Sequence, residues 1–238
     1  MTKKGVDRLL EGTGIDHLLI NAVKDSLKTV SQVNEAYVAE PKTFKQVSEL
    51  VSQKTKDSHV SLYKSYTESL NDVSSKLDTV DRSDPNSRHS DVRTLKLDEA
   101  YNLNATWLHE LYFANCFDPN SEIVMDSIAY LKLQRDFGTF DDWQKDFIAT
   151  GLAAGNGWAV CGYHTFLRRY VNTLVSHHSG DVMVGLYPVI VVDMWEHAYY
   201  RDHLSDKKSY LISQMREFNW GVIEDRFKKA EGIGVAVK

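Results

Sequence analysis

Hydrophobic residues recur at helical spacing through much of the first half of the chain. Between residues 43 and 77, apolar side chains return every three or four positions, which predicts one long helix or two, ending near Lys76. A second helical run spans Leu97 to Cys116, and the polar, turn-rich stretch from Thr79 to Asp91 predicts a loop between them. Two long helices joined by a polar loop are typical of an antiparallel helical hairpin.

The pattern changes after Pro119. Helical spacing predicts helices over residues 122–135 and 141–155, and three short apolar runs, GWAVCGYH, RYVNTLVS and LYPVIVVD, predict strands. A last helical part is expected from Met194, with a break near DHLSDKKS. The sequence therefore predicts an α+β fold, in which an N-terminal long α-helical hairpin precedes an α/β domain with a small three-stranded antiparallel sheet.

The same pattern suggests three segments. Residues 1–45 form a polar, helical N-terminal extension, and Pro41 marks a break near its end. Residues 46–118 are expected to form the α-hairpin domain, and residues 119–238 the C-terminal α/β domain. The extension is a candidate for contacts with a larger assembly.

Composition narrows the classes of function. A formal net charge of −5 gives no support for a nucleic-acid surface, and no apolar run reaches the length of a membrane span. Two cysteines do not make a disulfide framework. We therefore expect a soluble, intracellular protein of the cytoplasm or an organelle matrix, and this expectation is also compatible with a leader that has been cleaved off.

Histidines and one aspartate supply the candidate chemistry. Asp193 ends the strand LYPVIVVD and His197 stands four residues later, so both would face one side if a helix begins right after the aspartate. His109 lies in the middle of an apolar helix and His59 on the first long helix. Taken singly, each has an ordinary explanation, as a core histidine, a surface histidine or a helix edge.

Together, three imidazoles and one carboxylate on rigid elements make a plausible set of ligands for iron or manganese. Nearby aromatic residues would keep such a site dry: Trp107, Tyr112, Phe113, Trp158, Trp195 and Tyr199. A structural zinc site is disfavoured because neither cysteine has a spaced partner. A non-haem iron oxygenase with two histidines and a carboxylate is an alternative, although only the ligand types support it.

A longer stretch carries a family resemblance. VDMWEHAYY resembles the signature of the iron/manganese superoxide dismutases, and LYPVIVVD, GNGWAV, FGTFDDWQKDF and FNWGVIEDRF extend the similarity along the C-terminal half. WLHELYFANC resembles the second-helix motif of that family, and HVSLYKSYTESLN more weakly resembles the first. The similarity covers the chain from about residue 55 onward.

The resemblance implies a superoxide dismutase with one iron or manganese ion per chain and superoxide as its substrate. His59, His109, Asp193 and His197 match the metal ligands, and Tyr66 matches the tyrosine that guards the substrate channel. The resemblance implies three further roles. His178, with His177 as its competitor, matches the group that bonds metal-bound solvent, Trp158 and Trp195 match walls of the site, and Glu196 and Tyr200 match residues that span a homodimer interface.

Departures from the family pattern favour a second hypothesis. His59 and Tyr66 are separated by seven positions rather than eight, so a deletion or a local change of helix winding is expected. Leu62 or Tyr63 replaces the usual histidine between them, and Ala105 stands where iron-type members often supply a glutamine. These changes, with the N-terminal extension, also fit a superoxide dismutase fold recruited as a structural subunit with reduced or no activity.

Overall fold

The computed structural model describes residues 37–116 and 121–236. Within these ranges, seven helices and three strands follow in the order α1 (Gln53–Thr79), α2 (Asp91–Asn115), α3 (Ile128–Phe137), α4 (Phe140–Ala153), β1 (Trp158–His164), β2 (Arg169–Val175), β3 (Leu186–Asp193), α5 (Glu196–His203), α6 (Lys207–Arg216) and α7 (Trp220–Ala236). The predicted α+β class, with helices ahead of a three-stranded antiparallel sheet, is confirmed.

The described residues form two compact units, one of residues 37–40 and 68–100 and the other of residues 41–67, 101–116 and 121–236. In the first unit, the backbone N–H of Tyr37 donates to Ser74 Oγ at 2.7 Å. All of the candidate site residues belong to the second unit. The division into residues 1–45, 46–118 and 119–238 stays a prediction, and most of the N-terminal extension lies outside the described residues.

Within the second unit, α1 and α2 run in opposite directions. The ring of His59 lies 5.1 Å from that of His109, and the ring of Tyr66 lies 6.1 Å from that of Tyr101. A later residue of α1 therefore contacts an earlier residue of α2. This antiparallel arrangement is the predicted helical hairpin.

The first helix begins later than its apolar pattern predicts, at Gln53 rather than near residue 43. Ser52 caps it by accepting from the N–H of Thr55 at 3.4 Å, and Gln46 has a φ of 41°, which no α-helix accommodates. Phe44 still packs on the core, but from an irregular segment. Apolar spacing there indicated burial rather than helix.

The third helix is also shorter than predicted and spans Ile128–Phe137 instead of residues 122–135. Ser127 caps its start, and the carboxylate of Glu224 accepts from the backbone N–H groups of Ile128 and Ala129 at 3.0 and 2.8 Å. These acceptors satisfy N–H groups that have no partner inside a helix. The start is therefore fixed by a distant residue on α7, which local spacing does not reveal.

The sheet places the end of β3 beside the site. Its strand order is β2–β1–β3, both pairs are antiparallel, and central β1 is almost wholly buried. Trp158 on β1 lies opposite Val175 on one side and Asp193 on the other. Gly157 precedes it where a Cβ would meet the carbonyl oxygen of Val175 at 2.5 Å, so only glycine fits this close approach. Trp158, Asp193 and the residues after β2 therefore lie together at one end of the three strands.

The structure also describes the helices and the two cysteines on which the expected compartment depends. None of the helices within residues 37–116 and 121–236 combines the length and apolar character that a membrane crossing needs. Cys116 and Cys161 are both buried and are not joined in a disulfide.

Candidate metal centre

The four residues that the sequence selects as ligands lie together in the second unit. His59 comes from α1, His109 from α2, Asp193 from the last position of β3 and His197 from α5. One nitrogen or oxygen atom from each lies within 4.8 Å of all the others. Metal ions bind imidazole nitrogen and carboxylate oxygen at about 2.0–2.2 Å, so a cluster of this size could hold one ion.

Asp193 is the centre of the cluster. Its Oδ2 lies 3.0 Å from Nε2 of His59, 3.1 Å from Nε2 of His197 and 3.8 Å from Nε2 of His109. Its Oδ1 accepts from the backbone N–H of Trp195 at 2.8 Å, which fixes the orientation of the carboxylate. One oxygen is therefore anchored to the backbone, and the other faces three imidazoles.

His109 tests whether the residues fit a metal ion. Its Nδ1 lies 2.6 Å from the carbonyl oxygen of Ala105, which can only accept, so Nδ1 carries the proton and Nε2 the lone pair. Nε2 is buried and has no hydrogen-bond partner among the described residues. A buried polar atom without a partner is costly, and a cation between this nitrogen and Asp193 would satisfy it. The donor set fits an ion.

The pKa values favour the protonation states that a metal ion requires. Burial lowers the pKa of His59 and, together with the nearby His59, lowers the pKa of His109 to about 3. Burial alone would raise the pKa of Asp193, but hydrogen bonds from His197 and His59 outweigh it and hold that pKa well below its usual value. Neutral His59, neutral His109 and ionised Asp193 are the forms in which these side chains coordinate metal.

The structure separates His178 from His177. His178 is buried, and its Nε2 accepts the indole N–H of Trp158 at 2.7 Å. His177 is exposed and its Nδ1 pairs with Ser179 Oγ. An indole N–H can only donate, so neutral His178 carries its proton on Nδ1, which is buried without a partner among the described residues. Burial lowers the pKa of His178 to about 4.

Tyr66 lies beside this group without any change of helix winding. Its ring is 5.4 Å from that of His109 and 5.8 Å from that of His178. The expected change of helix winding is wrong, because α1 is a regular α-helix over Gln53–Thr79, and the alternative, a deletion relative to the family, stays a prediction. Seven residues are almost two full turns, so Tyr66 falls on the same face as His59. Burial raises the pKa of its phenol.

The aromatic surroundings are only partly those that the sequence suggests. Trp158 is fully buried with its ring 4.8 Å from that of His109, and Trp195 stacks on His197 at 6.2 Å. Trp107 is 42% exposed, so its expected place in the wall of the site is wrong. It lies two positions from His109, and residues two apart on a helix point in different directions.

Glu196 and Tyr200 lie on the exposed side of α5. Tyr200 is 53% exposed and Glu196 is exposed. The side chain of His197, between them, is 30% exposed, whereas those of the other three cluster residues are at most 4% exposed. The cluster is therefore closest to the surface at α5.

Sequence reasoning missed two residues around His178. The ring of Tyr101 lies 4.8 Å from that of His178, and the side-chain amide of Asn104 donates to the carbonyl oxygen of His178 at 2.5 Å. Tyr101, Ala105 and His109 are spaced four residues apart on α2, so helical periodicity could have found Tyr101. No local signal marks Asn104, whose partner is 74 residues away.

Comparisons with known proteins agree with this geometry. Residues 127–226 match the family described as iron/manganese superoxide dismutases, C-terminal domain. The chain is 33% identical over 179 residues to a superoxide dismutase [Fe] of Aquifex pyrophilus, covering 74% of this chain and 83% of that protein. It is 31% identical over 140 residues to a superoxide dismutase [Mn] of Corynebacterium diphtheriae, covering 58% of this chain and 70% of that protein. The chain belongs to the iron/manganese superoxide dismutase family.

Proposed function

We propose that the protein is a superoxide dismutase that holds one iron or manganese ion between His59, His109, Asp193 and His197. The observation that carries the proposal is the buried, unpartnered Nε2 of His109, which faces the Asp193 carboxylate within a cluster of two other imidazoles. The relatives include both iron and manganese enzymes, and both metals suit this donor set.

The bound metal supplies the one-electron chemistry by which two superoxide ions and two protons become one oxygen and one hydrogen peroxide. The chain supplies the ligands and their orientation. The backbone N–H of Trp195 holds Asp193, and the carbonyl oxygen of Ala105 holds the ring of His109. Such outer contacts fix ligand geometry and tune the metal.

His178 is proposed to donate a hydrogen bond to an oxygen species within the site. The indole N–H of Trp158 occupies its Nε2, which leaves the Nδ1–H to donate to an oxygen species beside the cluster. Asn104 holds the backbone of His178 through its carbonyl oxygen. A fixed hydrogen-bond donor stabilises negative charge on such an oxygen without having to reorient.

Tyr66 is proposed to limit access to the cluster. It is partly buried and its ring lies between those of Tyr101, His109 and His178, with centroid distances of 6.1, 5.4 and 5.8 Å. Its raised phenol pKa keeps it protonated and uncharged at neutral pH. The overall charge of −5 already disfavours the approach of an anionic substrate. An uncharged hydroxyl adds no further repulsion.

We also propose that the protein forms a homodimer through α5. The family resemblance assigns Glu196 and Tyr200 to a dimer interface, and both are exposed. The partial exposure of His197 supports this, because a second subunit over α5 would bury the least protected cluster residue.

The direct test is superoxide disproportionation by stopped flow, with the full chain reconstituted with iron, with manganese and with neither. The proposal expects turnover with at least one metal and none without. A protein that binds either metal in the expected ratio but never accelerates disproportionation would contradict it and favour the structural-subunit hypothesis. The more active metal decides between iron and manganese.

A further inference from the structure

Tyr63 is a core residue of the helical hairpin and is not one of the four residues of the proposed metal site. It is fully buried on α1, one turn after His59. Its hydroxyl donates to Oε1 of Glu110 at 2.9 Å and accepts from the backbone N–H of Lys42 at 2.8 Å. The phenol thus joins α1 to α2 and to the irregular segment that precedes α1.

Glu110 is the residue directly after His109. Its second oxygen, Oε2, lies 2.6 Å from Nζ of Lys42, so the carboxylate is held by two partners at once. The Glu110 side chain is only 15% exposed, whereas that of Lys42 is 64% exposed. A hydrogen bond to a largely buried, charged acceptor is stronger than one between neutral groups.

The ring of Tyr63 is fixed as well as its hydroxyl. It packs against Phe44 at 6.0 Å and Phe113 at 5.8 Å, both close to edge-on. The ring of His109 lies 6.3 Å away. The two groups that bond its hydroxyl, Glu110 and the backbone N–H of Lys42, do not belong to the cluster. The contacts of Tyr63 therefore hold the helices together and do not lead to the metal site.

We propose that Tyr63 and Glu110 are positioning residues for the metal site, which set the separation of His59 and His109 by bridging the helices that carry them. The inference rests on the proposed function. Tyr63 is one turn from one ligand, Glu110 is adjacent to another, and metal ligation tolerates only a few tenths of an ångström of misplacement. Lys42 stabilises this bridge, because its backbone N–H bonds Tyr63 and its ammonium group bonds Glu110.

The chain contains a matched control for this bridge. Tyr170 is also fully buried, its hydroxyl donates to Oε1 of Glu231 at 3.0 Å, and Lys132 pairs with Oε2 of the same glutamate. This second Lys–Glu–Tyr group has α3, β2 and α7 as its elements. It contains the same three residue types, and the ring contacts of its tyrosine are with Tyr163 and Phe227, which are not cluster residues.

The test compares the metal-loaded full chain with its Tyr63→Phe and Tyr170→Phe variants. Each variant loses one buried hydroxyl, so both thermal midpoints should fall by a similar few degrees. Transfer of the metal to an excess chelator should become about tenfold faster in Tyr63→Phe, the lower end of the usual effect of outer contacts on metal affinity. It should be unchanged in Tyr170→Phe. Equal transfer rates in the two variants would overturn the inference.

A second pair of variants keeps the test decisive if a tyrosine variant fails to fold. Glu110→Gln and Glu231→Gln keep the shape of each group and remove its charge, and only Glu110→Gln should speed metal transfer. If Tyr63→Phe does not fold, equal rates in this pair overturn the inference. A wild-type chain that holds no metal contradicts the proposed function instead, so the two failures are distinguishable.

Discussion

Nε2 of His109 lies 3.8 Å from Oδ2 of Asp193, beyond hydrogen-bonding range, whereas Nε2 of His59 and of His197 lie 3.0 and 3.1 Å from the same oxygen. The Nδ1 proton of His109 is committed to the carbonyl oxygen of Ala105, so a lone pair faces a carboxylate across this gap. Two electron-rich atoms repel each other in a buried site, and a cation bound by both reverses the sign of that interaction.

Metal binding should therefore stabilise the fold. An ion present at a hundred times its dissociation constant adds about 2.7 kcal/mol, which in a chain of this size raises the thermal midpoint by about 5–10 °C. Calorimetry of the loaded and metal-free protein measures the difference. An Asp193→Asn variant should lose this increase, while exposed His177→Ala should keep it. An equal increase in Asp193→Asn would contradict the assignment.

Trp158→Phe should lower turnover about tenfold or more while leaving the metal content intact. The variant keeps an aromatic ring but removes the N–H that orients His178 at 2.7 Å, and losing one oriented hydrogen-bond donor costs about 10²–10³-fold in rate. Trp143→Phe is the matched control, since Trp143 is equally buried and donates its indole N–H to Asn172, away from the cluster. Stopped-flow rates that fall equally in both variants would remove the special role of Trp158.

The metal-free protein should lose stability as the pH falls below about 6.5. The pKa of His178 drops from 6.5 when unfolded to about 4 when folded, so between these values the unfolded chain binds more protons and stability falls with the pH. This group alone contributes about 2 kcal/mol between pH 7 and pH 5. Burial likewise lowers the pKa of His109, to about 3, and adds to the loss.

Urea unfolding at pH 7 and pH 5 measures this dependence. His178→Gln should reduce the pH dependence by roughly the contribution of one group, and His177→Gln, at the exposed neighbouring position, is its control. A His178→Gln variant with the full wild-type dependence would show that other groups carry the effect.

Replacing Glu196 and Tyr200 together by alanine should shift the protein from dimer toward monomer. Both side chains are exposed on α5, so the change removes no core packing and should leave the thermal midpoint of the monomer within a few degrees. Sedimentation velocity measures the shift, with Phe166→Ala, 85% exposed between β1 and β2, as the control. A wild-type chain that sediments as a monomer would refute the proposed interface.

The residues with the most distinctive sequence context were the most predictable. Asp193 and His197 follow a buried strand at a fixed spacing, and the structure brings them into one cluster with His59 and His109. The three strands were equally clear, because short apolar β-branched runs between turns have few alternatives. The order of helix, sheet and helix is therefore predictable from the sequence.

The features that the sequence could not supply depend on contacts between distant residues. The start of α1 is set by Ser52 and by partners of the segment before it, and the choice between His177 and His178 depends on Trp158, twenty residues away. The Tyr63–Glu110 bridge spans 47 residues. Local spacing carries no information about such pairs, because they exist only after the elements pack.

Elemental analysis of the wild-type chain and its Asp193→Ala variant tests the central claim most directly. After reconstitution and removal of loosely bound ions, the wild type should carry one iron or manganese ion per chain. Asp193→Ala should carry less than about a tenth of that, because a metal site needs its full ligand set and three imidazoles alone lack the balancing charge. Full metal content in Asp193→Ala, or none in the wild type with either metal, would contradict the assignment of these four residues.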